Sequence, residues 1–144
     1  MALWLIIVVA VVGGAAISLQ AQTAGVISER VGTLEAVFVT YGLGGLLSAL
    51  LVLIVPGTDI PAVRSLPGYV WSSGVFGLVI VATISFSVGR LGVVRGLLLV
   101  TVAQFVVSAL IDQFGWLGAQ VQPLTLAKAI GIVLLLLGGW LVLR

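Results

Sequence analysis

Five stretches of this chain, each close to twenty residues long and nearly free of charge, limit what it can fold into more than any other feature. A helix that crosses a bilayer needs roughly 20 mostly apolar residues, because each residue rises about 1.5 Å through a hydrocarbon core near 30 Å. The runs fall at about 2–26, 34–55, 69–88, 93–114 and 124–143. Charges or turn residues separate them: Glu29 and Arg30, then Pro56-Gly57, Pro67-Gly68, Arg90, and Gly115 through Pro123, with Arg144 as a terminal anchor. The fold class this predicts is all-α, a polytopic membrane protein of five transmembrane helices in one membrane domain.

Composition closes off the soluble alternative. Of 144 residues, 62% are apolar and only 7% charged, against about 25% in a typical soluble chain. So few charges cannot keep a domain of this length solvated, and lipid must meet most of its surface. The first run lacks a basic leading segment and a clear cleavage site, so it reads as a retained helix rather than a signal peptide. Short links at 28–33, 89–92 and 115–123 leave no room for an extramembrane domain, and the proline-rich 56–67 segment reads as an exposed loop. Trp4, Trp71, Trp116 and Trp140 lie near segment ends, where indole rings favour the headgroup region.

Several functions are disfavoured by what is missing. The net charge of +2 comes from scattered Lys and Arg, whereas nucleic-acid binding needs cations clustered on one face. The chain has neither cysteine nor histidine, so it lacks the thiolate nucleophile and metal ligand and the commonest acid–base group. The expectation is a non-enzyme with no metal and no cofactor. Arg30, Arg90, Arg95 and Arg144 fall on one side of the membrane, and Arg64 with Lys128 on the other. The positive-inside rule then places the N-terminus outside by a small margin. A bias this weak also fits a protein that inserts both ways, and the two readings stay open.

In a bilayer the information lies in the polar residues. Thr101, Gln104, Ser108 and Asp112 on the fourth run are spaced three, four and four apart, which puts them on a helical stripe roughly 80° wide. Gln104 sits near midspan, where an amide facing lipid is costly, so the stripe must face protein or a water-filled cavity. A substrate pathway and an interhelical hydrogen bond both satisfy that requirement. The first run carries Gly14, Ser18, Gln22 and Gly25 on one face and Gln20 on the other, which suggests two buried faces. Tyr41, Gly44, Gly45 and Ser48, then Ser73 and Gly77, then Ala127, Gly131 and Gly138 supply further small-residue stripes of the kind that pack membrane helices. The last of these runs looks like a packing or dimerisation element. Glu29, Glu35, Arg90, Arg95, Asp112 and Lys128 lie at span edges and read as snorkelling anchors, Asp112 being the exception because it continues the polar stripe.

The order of these features resembles the YdcZ-type family of small bacterial inner-membrane proteins within the drug/metabolite transporter superfamily. Ala103-Gln104, followed by Ser108-Ala109-Leu110-Ile111-Asp112-Gln113-Phe114-Gly115, is similar to the family's Gly-Gln, then Ile-Asp-His-Phe-Gly, at the end of its fourth helix. Pro123-Leu124-Thr125, Pro67 with Trp71, Gly14-Ala15 leading to Gln20, Arg30 with Gly32-Thr33, and Tyr41 with Gly44 follow the pattern as well. Ala103 and Gln113 depart from the family's glycine and histidine, and Ala24 and Ser18 stand where relatives often have asparagine and proline.

The resemblance implies a five-helix unit equal to half of a ten-helix, inverted-repeat transporter, whose binding site lies between the halves near the midplane. The other half would come from a second copy, as an antiparallel homodimer, or from a related paralogue. On this basis Gln20, Tyr41, Trp71, Thr101, Gln104 and Ser108 are the candidates for lining a central cavity for small organic solutes. The small multidrug resistance relatives exchange protons for cations through a glutamate in the middle of their first helix. Here Val11 to Ile17 is apolar or small, so the expected solute is neutral or anionic rather than cationic. The alternative reading is a non-transporting small subunit packed against a larger membrane protein.

Overall fold

Glycines and prolines divide the apolar runs into helices whose ends are fixed by backbone geometry. A computed structural model describes residues 3–144, and its helices are α1 (Leu3–Arg30), α2 (Thr33–Ile54), α3 (Ser72–Leu91), α4 (Val93–Phe114) and α5 (Leu126–Leu143). All five spans are long and apolar enough to cross a membrane. The expected first span opened at Ala2, which lies outside the described residues. α1 also continues past Val26 to Arg30, giving it a length of about 42 Å at 1.5 Å per residue. That exceeds the hydrocarbon thickness, so the helix tilts or carries its charged last turn into the headgroup layer.

Two tight turns set the topology. α3 passes into α4 through Gly92 alone, at φ 81°, a backbone region closed to most residues with a Cβ. α1 passes into α2 through Val31 and Gly32, with the Ser28 and Thr33 hydroxyls bonded to each other at 2.9 Å across the turn. Both turns and the end of α5 therefore lie on one membrane side, the turn side. The start of α1, the 55–67 loop and the connection from α4 to α5 lie on the other, the loop side. The 55–67 loop is mostly exposed and contains a 3-10 turn at Pro61–Ser65. At the loop side Gly115, in the left-handed region at φ 64°, ends α4.

α3 is the hub. It packs on α1, α2 and α4, with α1 its most extensive neighbour, while α5 packs on α4 alone among the described residues. The contact of α1, α3 and α4 is made possible by missing side chains. Val88 of α3 is buried between Gly25 of α1 and Gly96 of α4. A Cβ on Gly25 would lie 2.7 Å from the Val88 Cγ1, and one on Gly96 would lie 2.9 Å from the Val88 backbone nitrogen. A Cβ on Gly89 would meet the Gly25 carbonyl oxygen at 2.9 Å. Small-residue contact of this kind is what holds helices together when lipid removes the hydrophobic driving force between them.

Among the described residues, burial is confined to one half of the molecule. Ala21, Ala24, Gly25 and Ser28 on α1, Ala36 and Val37 on α2, Ser85 and Val88 on α3, Gly96 on α4 and Gly139 on α5 are buried, and all lie in the turn-side half. Leu3 through Gln20 of α1 are exposed throughout, as are residues 41–51 of α2. The turn-side half is therefore packed, and the loop-side half is largely exposed.

The contact face of α1 is therefore Ala21, Ala24, Gly25 and Ser28. On the expected face of Gly14, Ser18, Gln22 and Gly25, only Gly25 packs against another helix, and a Cβ on Gly14 would meet nothing within 4 Å. Ser18 instead donates to its own helix at the Gly14 carbonyl, at 3.1 Å. Gly89→Val should lower the unfolding free energy in detergent by about 1–3 kcal/mol, the usual cost of overpacking. Gly74→Ala, whose Cβ enters open space, should leave it unchanged or raise it by up to about 1 kcal/mol. Thermal midpoints followed by tryptophan fluorescence check both.

Candidate functional site

The residues expected to line one central cavity sit at several places on the single chain. Gln20 is exposed and borders a crevice of about 20 Å³ between α1 and α3, with Ala21, Ala24, Val81 and Ser85. Tyr41 of α2 directs its hydroxyl at Gly77 of α3, where a Cβ would collide with it. Trp71 is exposed at the loop-side start of α3. Thr101 is half-buried on α4 and Gln104 exposed. Ser108 lines a different and larger cleft. Among the described residues, no one cavity of the single chain gathers all six.

That larger cleft, about 360 Å³, opens between α4 and α5 on the loop side. Its polar groups are Ser108 and Asp112 on α4, Gln122 in the connection and Lys128 in the first turn of α5, and its apolar wall includes Phe105 and Leu135. Ser108 and Asp112 are four apart and share a helix face, so the outer half of the α4 polar stripe faces protein. The inner residue, Gln104, is not part of this wall.

The connection between α4 and α5 shapes the mouth of the cleft. Past Gly115 the chain folds back over the end of α4. There the Gln122 amide nitrogen donates to the Asp112 carbonyl oxygen at 2.8 Å, and the Leu124 amide donates to Gln113 Oε1 at 2.6 Å. Thr125 Oγ1 then caps α5 by accepting from the Lys128 amide at 3.3 Å. This cap starts the helix at Leu126 rather than Leu124. The Lys128 Nζ reaches Gln122 Oε1 at 3.4 Å. Phe114 and Trp116 stack at 5.3 Å between ring centroids, and the Tyr69 hydroxyl donates to the Leu117 carbonyl at 3.3 Å, joining the two loop-side connections.

Sequence reasoning singled out Ser108 and noted Asp112, but it assigned Lys128 to anchoring and left Gln122 unremarked. The available signal was the stripe itself, which ends on Asp112 at the same depth from the loop side as Lys128. On the turn side, the Arg90 guanidinium lies 3.6 Å from the Phe86 ring centroid and that of Arg144 lies 4.1 Å from the Trp140 centroid. Both fit the interfacial anchoring expected of residues at span ends.

Comparison with known proteins gives one result. A family model described as "Putative inner membrane exporter, YdcZ" matches residues 5–141. Among curated proteins and among solved structures, none matches significantly.

Proposed function

We propose, from the premise that the chain belongs to the YdcZ inner membrane exporter family, that it carries small organic solutes across the bacterial inner membrane as a dimer working by alternating access. One observation carries this reading: the midspan amide of Gln104 is exposed on the single chain. Lipid is a poor neighbour for an amide that has lost its water, and a polar group at that depth faces protein or an aqueous cavity in nearly all membrane proteins. The loop-side half of the bundle, which is largely exposed, gives such a cavity room to form once a second copy covers it.

In this arrangement the five helices form half of a ten-helix inverted-repeat transporter. Gln20, Tyr41, Trp71, Thr101, Gln104 and Ser108 line the space between two antiparallel copies, or between this chain and a paralogue. Gln104 hydrogen-bonds the solute near the midplane, and Tyr41 or Trp71 offers an aromatic wall. The middle of α1, Val11 to Ile17, carries no carboxylate, so no charge there offsets a buried cation, and net-neutral or anionic solutes fit best.

Gln104→Leu should insert and assemble normally yet lose transport, measured as efflux of a panel of radiolabelled neutral and anionic metabolites from proteoliposomes. Unchanged flux, with dimer stability lowered by the ~1 kcal/mol of an interhelical bond, would assign Gln104 to packing. The antiparallel arrangement predicts that a cysteine placed at Asp59 reacts with an impermeant maleimide from both faces of the membrane. Reaction from one face alone would reject the homodimer of opposed copies and favour a parallel dimer or a separate partner chain.

A further inference from the structure

The cleft between α4 and α5 contains two opposite charges that do not neutralise each other. Asp112 and Lys128 line the same cavity, yet among the described residues no ion pair joins them, and the lysine ammonium instead donates a long bond, 3.4 Å, to the neutral Gln122 side chain. An acid and a base so placed normally close on each other if nothing comes between them, because their attraction strengthens as water is removed. Here the chain holds them on opposite walls. The fold-back that fixes Gln122 to the end of α4 sets one wall, and the Thr125 cap that starts α5 sets the other.

Depth adds a second constraint. Asp112 lies in the last turn of α4 and Lys128 in the first turn of α5, so both charges are at the loop-side mouth. Ser108 is one turn deeper, and beyond it the walls become Phe105 and Leu135. The cleft thus runs from a mouth carrying both signs of charge to an apolar floor in the hydrocarbon. Its volume, about 360 Å³, is at the small end of the range for small-molecule sites, about 300–1,000 Å³.

We infer that this cleft binds a zwitterion with an apolar tail: an ammonium group against Asp112 and Ser108, an adjacent anion against Lys128, and an apolar body on the Phe105 and Leu135 floor. Two sources share that chemistry, a free amino acid with an apolar side chain and the headgroup of an aminophospholipid. Such a solute carries no net charge, as the transport reading expects of its substrate, but the cleft lies within one chain and apart from Gln104, so it is a site of its own and only a role in transport would rest on that reading. Binding is measured at equilibrium and stands or falls apart from flux.

Gly131 supplies a test that leaves the charges in place. It lines the cleft, and a Cβ on it meets nothing within 4 Å, so the Gly131→Leu side chain starts in open space and takes up room in the cleft. The experiment uses the full chain in nanodiscs of phosphatidylcholine, with tritiated L-phenylalanine as the free probe. In a parallel set, phosphatidylethanolamine is added and its retention is read by native mass spectrometry.

Saturable L-phenylalanine binding is expected, weakened about tenfold or more by Asp112→Asn, by Lys128→Gln and by Gly131→Leu, the scale of losing one charge-assisted hydrogen bond. N-acetyl-phenylalanine and phenylalanine amide, which each lack one charge, should bind correspondingly weakly. Retention of phosphatidylethanolamine without L-phenylalanine binding, lost in the same three variants, supports the site and assigns it to a lipid headgroup. If neither probe binds the unmodified chain, or if binding persists at full strength in any of the three variants, the inference is overturned. Gly131→Leu keeps both charges and raises helix propensity, so it separates loss of the site from loss of the fold.

Discussion

Val88 seated between two glycines is the contact on which the rest of the molecule depends. With Gly25 of α1 on one side and Gly96 of α4 on the other, no atom stands between the valine and the neighbouring backbones, and Gly89 brings the α1 carbonyl of Gly25 against α3 as well. In lipid, apolar side chains gain little by leaving the solvent, so helices adhere where their surfaces fit closely. Here that fit is concentrated near the turn side. The two tight turns reinforce it, because helices joined through Gly92 alone, or through Val31 and Gly32, are held side by side there.

Exposure is what gives the loop-side half its character. Packing concentrated at the turn side leaves α1 from Leu3 to Gln20 and the middle of α2 exposed, and it leaves Gln104 in the hydrocarbon without cover. On the proposed reading, a second copy supplies the missing cover, and the space left between the copies is where a solute sits. Among the described residues α5 packs on α4 alone of the helices, which leaves the α4–α5 cleft free to take its shape from the short connection between those two helices.

Much of the fold was legible because hydropathy and length are properties of a segment rather than of its surroundings. A run of twenty apolar residues has few options, and the glycines and charges that interrupt the runs mark where they turn. The packing faces were harder to read. When nearly every residue of a helix is apolar, no polar side marks the face away from its neighbours, and α1 could as well have packed through Gly14 and Ser18 as through Ala21, Ala24 and Ser28. Three-dimensional contact, with Val88 opposite Gly25, makes that choice. The polar stripe of α4 was visible from its spacing, but what Ser108 and Asp112 face was not. Lys128 comes to the same cleft only because Gln113 and Gln122 fold the connection back, through bonds that no periodicity announces.

The central claim is that one chain is half of a binding site, its open face covered by a second copy rather than by lipid. Dipolar electron resonance on a chain carrying a single spin label at Gly44, exposed on α2 with open space around its Cβ, tests it most directly, since any coupling must arise between copies. In lipid nanodiscs at high dilution of protein, the account predicts one narrow distance that persists as the lipid-to-protein ratio is raised. A signal that decays to background under that dilution would show a chain surrounded by lipid alone, and would contradict it.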